Sequence, residues 1–494
     1  MKSATNHRTE ATVANSVALP IRATRKAWTG NLTRSGSRTR VSTLGISCSK
    51  YARLYPLIFF ETYLICSLVV FAFGPVEFQI SNPLKLYTFA IVGQIAIAVG
   101  YLTGIAKAPT LYCNPLSISK MLKLAILAML IMSPITIYNR DRSEVSITEA
   151  ITNPGAAYAA RAERLNNRES APLVSIVRAL LGPIFGLFVP LGVIHLKGKR
   201  DAWKTLWRIG LLSLLVESIL VGAAKGLFDL ALVLPWLLWL RFHTGSSTES
   251  QHSTRTQARV NRRRNWSFAQ KVLLVSITLS ALLAGILYFG YSRQSRYELS
   301  GGSYPLWTTC WSKDLYGVTL PESVEYPVYM LSRYWTQGYL GLSECLELPF
   351  EWSFGIGHST FLMRYAGILS SNPNYFLNKS YPYRLESETG YSVAHYWHTI
   401  YPWLASDLSF PGSILGIAVL AYLLGRAWKD AMWGQNPFAA GFLGQILLLF
   451  YYIPANNVRL MFSEEAIAFW GLLFLWKITS RTRRYAPRQF GVAR

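Results

Sequence analysis

Long runs of apolar residues, separated by polar and charged segments, make up most of this chain. Each run approaches the length of about 20 residues that a helix needs to cross a bilayer. Because a spanning segment must satisfy its own backbone hydrogen bonds, these runs predict membrane helices. The ten predicted spans lie near residues 55–73, 86–105, 122–138, 173–195, 209–221, 227–242, 272–288, 403–424, 438–453 and 460–477. The pattern predicts an all-α polytopic membrane protein.

Composition agrees with this class, since only 15% of the 494 residues are charged, against about a quarter in soluble proteins. The formal net charge is +24, which by itself is also compatible with nucleic-acid binding. The excess Lys and Arg, however, is concentrated in segments 22–53, 255–271 and 477–494, each beside an apolar run. Basic segments beside spans indicate cytoplasmic loops, so a nucleic-acid partner is not predicted.

This charge pattern predicts that both termini are cytoplasmic. A basic, disordered tail is predicted over residues 1–53 and a second basic tail over 479–494, while a Ser-, Thr- and Gln-rich linker at 243–268 is predicted to be disordered in the cytoplasm. Spans one to seven occupy 54–291 and spans eight to ten occupy 403–478. The fifth and sixth spans are short, and a hairpin that crosses only part of the membrane is an alternative.

Two longer segments fall on the outer side, an amphipathic one at 139–172 and a large, partly helical loop at 292–402 before the eighth span. In the first, Arg161, Arg164 and Arg168 share one helical face, and Arg178 follows inside the next span. Such a row of guanidinium groups suits a diphosphate. A surface helix on lipid headgroups explains it equally well.

The short hairpin carries Glu217, Lys225 and Asp229 in apolar surroundings. Ionisable groups there are costly and mark functional paths or pairs. Lys225, at the outer turn, could contact a phosphate. The alternative is a structural pair between Lys225 and Asp229 at i, i+4.

The large outer loop is rich in aromatic residues, which suit either sugar rings or the membrane interface. Its second half contains the densest group of proton-handling side chains, namely Arg384, Glu386, Glu388, His395 and His398. A Glu or His at a membrane surface can act as a general base. Zinc binding by His395 and His398 is a minor alternative, since a third ligand is not evident.

Asp407 lies just inside the eighth span, where a carboxylate is either functional or paired. A helix N-cap is the alternative. Cys310 and Cys345 share the large loop, and both a disulfide and two free thiols are compatible with the sequence.

Two stretches, 332–364 and 398–416, resemble Wzy-type O-antigen and exopolysaccharide repeat-unit polymerases. The first carries the elements YLGLS at 339–343 and GIGH at 355–358, and the second carries Asp407 and Gly412 at the entry to a late span. With the number of spans and the large late loop, the resemblance covers most of the chain from about residue 139 onward.

The resemblance implies a membrane glycosyltransferase of the bacterial inner membrane. It would transfer an undecaprenyl-diphosphate-linked glycan to another lipid-linked repeat unit at the periplasmic face, without cofactor or metal, with a chain-length regulator as a possible partner. The expected catalytic residues are Glu386, Glu388, His395, His398 and Asp407. The expected diphosphate-binding residues are Arg161, Arg164, Arg168, Arg178, Lys225 and Arg384. Tyr339 and His358 are expected to position the acceptor or the loop.

Two other functions share parts of this pattern. An O-antigen ligase has the same layout and would transfer a whole glycan to a lipid-A core. A repeat-unit flippase is expected to have more spans, shorter outer loops and an internal cationic cavity. Sequence features separate the ligase from the polymerase poorly, and the resemblance favours the polymerase.

Overall fold

The computed structural model describes residues 50–112, 117–139, 146–157, 159–160, 172–196, 199–220, 225–244, 285–295, 321–393, 396–434 and 436–482, with short pieces between 276 and 319. The predicted tails at 1–49 and 483–494 and nearly all of the predicted linker lie outside these residues. So does most of the amphipathic segment, including Arg161, Arg164 and Arg168.

The described chain is mostly helical. Its helices are α1 Tyr55–Phe73, α2 Pro83–Ala106, α3 Ile118–Asn139, α4 Ile147–Thr152, α5 Pro172–Leu180, α6 Gly182–His195, α7 Asp201–Leu220, α8 Lys225–Thr244, α9 Glu322–Cys345, α10 Thr360–Leu369, α11 Tyr381–Thr389, α12 Ile400–Lys429, α13 Pro437–Tyr451, α14 Val458–Met461 and α15 Ser463–Thr479. Three antiparallel pairs of very short strands join Val76–Glu77 to Cys310–Trp311, Thr110–Tyr112 to Ser480–Thr482, and Asp314–Leu315 to Val318–Thr319.

Among the described residues, four helices are long and apolar enough to cross a membrane: α1, α2, α3 and the continuous helical stretch Ile400–Gly434. The pair α5 and α6 passes the same test together, with a bend of 53° between them. The helical class is therefore confirmed, and the four or five candidate spans are consistent with a membrane protein. The predicted fifth, sixth, ninth and tenth spans are also helices, but each is too short or too polar to qualify by length and composition alone.

The helix α12 packs along α2 at very short distance. A Cβ atom on Gly100 would lie 2.1 Å from the carbonyl oxygen of Ala418, and one on Gly104 would lie 2.4 Å from that of Tyr422. Small residues at such positions allow two membrane helices to approach backbone to backbone. This contact fixes residues 418–422 of α12 against α2.

The helix α12 is broken near its N-terminal end. Ser409 has φ 63° and ψ 169°, a conformation that costs a non-glycine residue free energy, and Pro411 follows two residues later. Proline removes a backbone donor and disfavours a regular helix before it. The first turns of α12, which carry Asp407, therefore form a separate short segment.

At the other end of the same helical stretch, a buried carboxylate fixes several elements. Asp430 accepts hydrogen bonds from the backbone N–H of Thr110 at 2.9 Å and from Trp476 Nε1 at 3.1 Å, and it lies 3.5 Å from Arg426 Nη2. These contacts join α12 to the strand Thr110–Tyr112 and to α15, so Asp430 has a structural role.

Cys345 is buried at the end of α9 as a free thiol. Of the two alternatives for Cys310 and Cys345, the structure shows the unpaired one. Burial raises the pKa of the Cys345 thiol well above its usual value.

Candidate functional site

Asp407 receives hydrogen bonds from a turn of the large loop. Its Oδ1 accepts from Ser353 Oγ at 2.6 Å and from the Gly357 backbone N–H at 2.7 Å. Its Oδ2 accepts from the His358 backbone N–H at 3.0 Å and lies 2.8 Å from His358 Nδ1. The carboxylate is thus surrounded by donors of the loop. Asp407 lies inside α12, whose N-cap is Thr399, so the N-cap alternative does not apply.

This contact orients the imidazole of His358. A carboxylate only accepts hydrogen bonds, so the ring proton of His358 lies on Nδ1 and points to Asp407. In the neutral ring with this tautomer, the other nitrogen, Nε2, carries the lone pair. The Asp407 side chain is 7% exposed and the His358 side chain 17%. A buried carboxylate behind a partly exposed imidazole is the arrangement of a general base with its orienting acid.

Local sequence explains why the turn has this shape. Phe354 and Gly355 have φ of 61° and 80°, and this left-handed region is accessible to glycine at low cost. At Gly357, a Cβ atom would lie 2.0 Å from Ser353 Oγ. Only glycine therefore allows the N–H groups of residues 357 and 358 to point at one carboxylate, as in an anion-binding turn.

The same turn is held from its other side by the segment before α15. Asn457 Nδ2 donates to the carbonyl oxygen of His358 at 2.6 Å, and Ser359 Oγ donates to that of Met461 at 3.4 Å. The ring of Trp470 stands edge to face with the His358 ring, with centroids 6.4 Å apart. The imidazole is therefore fixed by three parts of the chain that are distant in sequence.

Three of the four residues predicted as the base, Glu386, Glu388 and His398, lie outside this contact. Glu386 is partly buried and Glu388 exposed on α11, and the Glu388 carboxylate lies 4.0 Å from Arg384 Nη2. His398 is fully buried, and loss of hydration lowers its pKa to about 3 against a smaller opposing effect of the Tyr396 backbone. His395 lies outside the described residues. Their catalytic role stays a prediction, and a buried neutral His398 is inaccessible to a substrate hydroxyl in this conformation.

Arg384 and Tyr339 have structural partners. The buried Arg384 guanidinium donates to the carbonyl oxygen of Pro349 at 2.7 Å and lies 3.4 Å from Glu351. The buried Tyr339 hydroxyl is 2.7 Å from Ser67 Oγ of α1. We call His358 and Asp407 the dyad, and residues 353–358 the dyad turn. Arg384 thus joins α11 to the segment before the dyad turn, and Tyr339 joins α9 to the bundle.

Arg178 forms two ion pairs inside the bundle. Its Nη1 is 2.6 Å from Glu217 of α7, and its Nε is 2.9 Å from Glu464 of α15. Two carboxylates therefore surround one guanidinium, and a diphosphate would have to displace them.

Lys225 is also paired. Its Nζ lies 3.0 Å from Asp229 and 3.8 Å from Glu465. Asp229 in turn pairs with Arg459 and accepts from the Tyr452 hydroxyl at 2.7 Å. The structural pair at i, i+4 is thus observed. Together with the contacts of Arg178, three cations face four carboxylates, so this network is not a net cationic site.

Arg333 on α9 was not predicted, and it differs from every other buried arginine of the described chain. Arg384, Arg426 and Arg459 each have a carboxylate within 4.0 Å. Arg333 is 4% exposed, and its contact is the Tyr396 ring at 5.5 Å. One turn later, the buried Gln337 Nε2 is also without a hydrogen-bond partner among the described residues. The sequence signal was a single Arg within the aromatic stretch RYWTQGY.

The large loop and the short hairpin meet at residues 457–459. Asn457 binds the carbonyl of His358, and two residues later Arg459 binds Asp229 at the start of α8. The segment 457–459 therefore contacts both elements, while Arg161, Arg164 and Arg168 lie outside the described residues.

Next to this junction, an apolar cavity of about 180 Å³ lies between α6, α7, α8 and α13. Asp229 and Gln445 line it, and Gln445 Oε1 is 3.4 Å from Arg459 Nη1. A smaller cavity of about 80 Å³ is lined by Arg178 and Glu464. Each cavity therefore has mainly apolar walls and borders the ion-pair network.

No family model, curated protein or solved structure matches the chain. In the described part of the chain, no three His, Cys, Asp or Glu side chains are grouped as metal ligands. A functional proposal therefore has to rest on the chemistry of the residues above.

Proposed function

We propose that this chain polymerises undecaprenyl-diphosphate-linked oligosaccharide repeat units at the periplasmic face of a bacterial inner membrane. The observation that carries the proposal is the 2.8 Å contact between His358 Nδ1 and Asp407 at the outer end of a candidate span. The contact joins the two segments that resemble such polymerases. A base that can accept a proton from a sugar hydroxyl, fixed at a membrane surface, is what this reaction needs.

In the proposed reaction, His358 Nε2 takes the proton from an acceptor sugar hydroxyl. The hydroxyl oxygen forms a bond to the anomeric carbon of the donor glycan, while the bond between that carbon and the diphosphate oxygen breaks. The diphosphate leaves with the bonding electron pair. Asp407 stabilises the imidazolium that forms, which then returns its proton to water. His358 thus replaces Glu386, Glu388, His395 and His398 as the preferred base.

The leaving diphosphate needs cations oriented towards it. Arg333 is the preferred residue, because a buried guanidinium without a carboxylate is costly unless an anion binds it. Arg161, Arg164 and Arg168 remain candidates for the same role. Arg178, Lys225 and Arg384 are less suitable, since their charges are already compensated. The apolar cavity beside Asp229 would receive part of the polyprenyl chain.

The proposed topology has ten spans with both termini in the cytoplasm, because this orientation puts the basic segments inside. The hairpin α7–α8 and the helices α13 and α15 would then complete the membrane domain together with the candidate spans. The loop 292–402 would be periplasmic. A chain-length regulator is the proposed protein partner.

The test is a chromosomal deletion complemented with variant chains, with the surface polysaccharide separated by length on a gel. Under the proposal, the deletion leaves single repeat units attached to their carrier, and His358→Gln restores no ladder. A Glu386→Gln/Glu388→Gln double variant serves as the control and restores the full ladder. Ladder formation by His358→Gln would remove the dyad from the reaction. Complete loss of attached glycan in the deletion strain would instead indicate a ligase.

A further inference from the structure

Three aromatic side chains form an exposed group directly beside the dyad turn. Trp352 is 55% exposed, Phe354 46% and Tyr375 43%. The ring centroids of Trp352 and Phe354 are 4.9 Å apart, and the rings of Phe354 and Tyr375 are stacked with centroids at 6.2 Å. We call Trp352, Phe354 and Tyr375 the aromatic platform. Large exposed apolar groups that contact each other indicate a binding surface.

The platform is connected to the dyad through one residue. Ser353 stands between Trp352 and Phe354 in the chain and is fully buried. Its hydroxyl donates to the same Asp407 oxygen that binds the Gly357 N–H. Because Ser353 points inward, its two neighbours point outward. The backbone that fixes the base therefore also fixes two of the three rings.

Phe354 is held in this place at a cost. Its φ of 61° is a left-handed conformation that non-glycine residues rarely adopt, and a bulky side chain there is strained. Glycine would relieve the strain, and Gly355 beside it already shows that the turn accommodates glycine. Strained residues of this kind concentrate at ligand sites. The ring of Phe354 thus has a use that outweighs the strain.

Charged groups border the rings. Lys379 Nζ lies 5.2 Å from the Tyr375 ring centroid and 5.9 Å from that of Phe354, and it is 3.7 Å from Glu351. Flat apolar faces edged by an ammonium and a carboxylate match a pyranose ring, which has apolar C–H faces and hydroxyl groups around its edge. A lipid surface with anionic headgroups would disfavour Glu351 at the same place.

We infer that the aromatic platform is the binding site for a pyranose ring of the acceptor glycan, next to the hydroxyl that reacts. That the bound sugar belongs to the acceptor rests on the proposed function, whereas sugar binding by the platform does not. It assigns Trp352, Phe354 and Tyr375 to substrate recognition, with Lys379 and Glu351 as hydrogen-bonding groups at the rim.

The test measures sugar binding separately from polymerisation. Full-length protein in lipid nanodiscs is titrated with the repeat-unit oligosaccharide released from the host polysaccharide, and saturation-transfer NMR reports contact. Phe354→Gly and Trp352→Ala should each weaken binding about 5- to 10-fold, the range expected for losing one ring contact. Phe354→Gly should also keep or raise the thermal midpoint, because the strain is relieved. A purely structural Phe354 would not give that combination.

Tyr365→Ala is the matched control. Tyr365 is 51% exposed on α10 and pairs with Phe361 at 4.9 Å, away from the platform rings, so the affinity should stay within about twofold of the wild type. Unchanged sugar affinity in Phe354→Gly and Trp352→Ala overturns the inference. If brominated lipids then quench emission from Trp352, the rings belong to the membrane surface.

The outcomes separate the inference from the proposed function. If the variants bind sugar more weakly but deletion of the protein leaves the polysaccharide length of the host unchanged, the platform is supported and the polymerase function is contradicted. If the protein is a polymerase and both variants have an unchanged KM for the acceptor, the polymerase function is supported and the platform is contradicted.

Discussion

Replacing Asp407 by Asn keeps the shape of the side chain but removes its charge and one acceptor atom. Oδ1 accepts from Ser353 and Gly357, at 2.6 and 2.7 Å. Oδ2 faces the backbone N–H and the ring Nδ1 of His358, at 3.0 and 2.8 Å. Whichever oxygen the amide nitrogen replaces, one backbone N–H then faces an N–H donor, while the Ser353 hydroxyl or the His358 ring can change from donor to acceptor. The variant must therefore lose at least one hydrogen bond, and the remaining ones lose their charged acceptor.

The size of the effect follows from these contacts. A hydrogen bond to a charged group contributes about 1.5–3 kcal/mol, and the variant loses at least one such bond together with the charge that strengthens the others, so we expect a total cost of about 3 kcal/mol. Part of this cost lowers the stability of the turn, and part raises the reaction barrier. At most, with all of about 3 kcal/mol in the barrier, turnover falls about 100-fold.

The assay uses purified protein in nanodiscs with lipid-linked repeat units, and it follows chain growth over time together with the thermal midpoint. Asp430→Asn is the control, because Asp430 is also a buried carboxylate of this helical stretch but binds Thr110 and Trp476 at its other end. It should lower the thermal midpoint and leave turnover per folded molecule unchanged. Growth of chains by Asp407→Asn at the wild-type rate would refute the role of the dyad.

Arg333→Met removes a buried charge that has no carboxylate partner among the described residues, so the thermal midpoint should stay or rise. The KM for the lipid-linked donor should rise about tenfold or more, and a lower midpoint with an unchanged KM would contradict the role in binding diphosphate. Arg384→Met breaks the contacts with Pro349 and Glu351, and should cost about 2 kcal/mol of stability without changing that KM. His398 has a pKa lowered to about 3 by burial, whereas in the unfolded chain it is protonated below about 6.5. The unfolded state then binds the extra proton, so stability falls as pH drops from about 6.5 towards 3, by up to about 1.4 kcal/mol per pH unit. His398→Phe should flatten this slope in thermal melts at several pH values, and an equally steep slope would assign the acid sensitivity to another group.

The first three spans were predicted nearly to the residue. The apolar run at 55–73 coincides with α1 Tyr55–Phe73, and the runs at 86–105 and 122–138 lie within α2 and α3. Each of these helices presents many large apolar side chains at its surface. Hydrophobicity and length alone therefore determine them, because a lipid-facing helix depends little on its neighbours.

The eighth span shows a limit of predictions from hydrophobicity and length. The apolar run suggested an end near residue 424, but the helical stretch continues to Gly434. Arg426 and Lys429 donate to backbone carbonyls of residues 105, 107 and 108, and Asp430 is paired as described. In the sequence, these charged residues indicate the end of the apolar run. Their burial depends on contacts with residues that are distant in the sequence.

The sequence singled out residues of the candidate site but did not predict how they are paired. The large loop and Asp407 were singled out, and three helices of the loop, α9, α10 and α11, confirm that it is partly folded. The base was expected among the group 384–398, however, where the density of acid–base residues is highest. The contact between His358 and Asp407 joins residues 49 positions apart, and local density does not reveal such a pair.

By itself, the sequence determined that this is a helical membrane protein and where its first spans lie, because burial in lipid is decided by each segment's own hydrophobicity and backbone hydrogen bonds. Tertiary structure decided which charges are compensated. Arg178, Lys225 and Arg384 have carboxylates within reach, and Arg333 has none in the part of the chain that the structure describes. The energy of a buried charge depends on the groups a few ångströms away, and those groups come from distant parts of the chain.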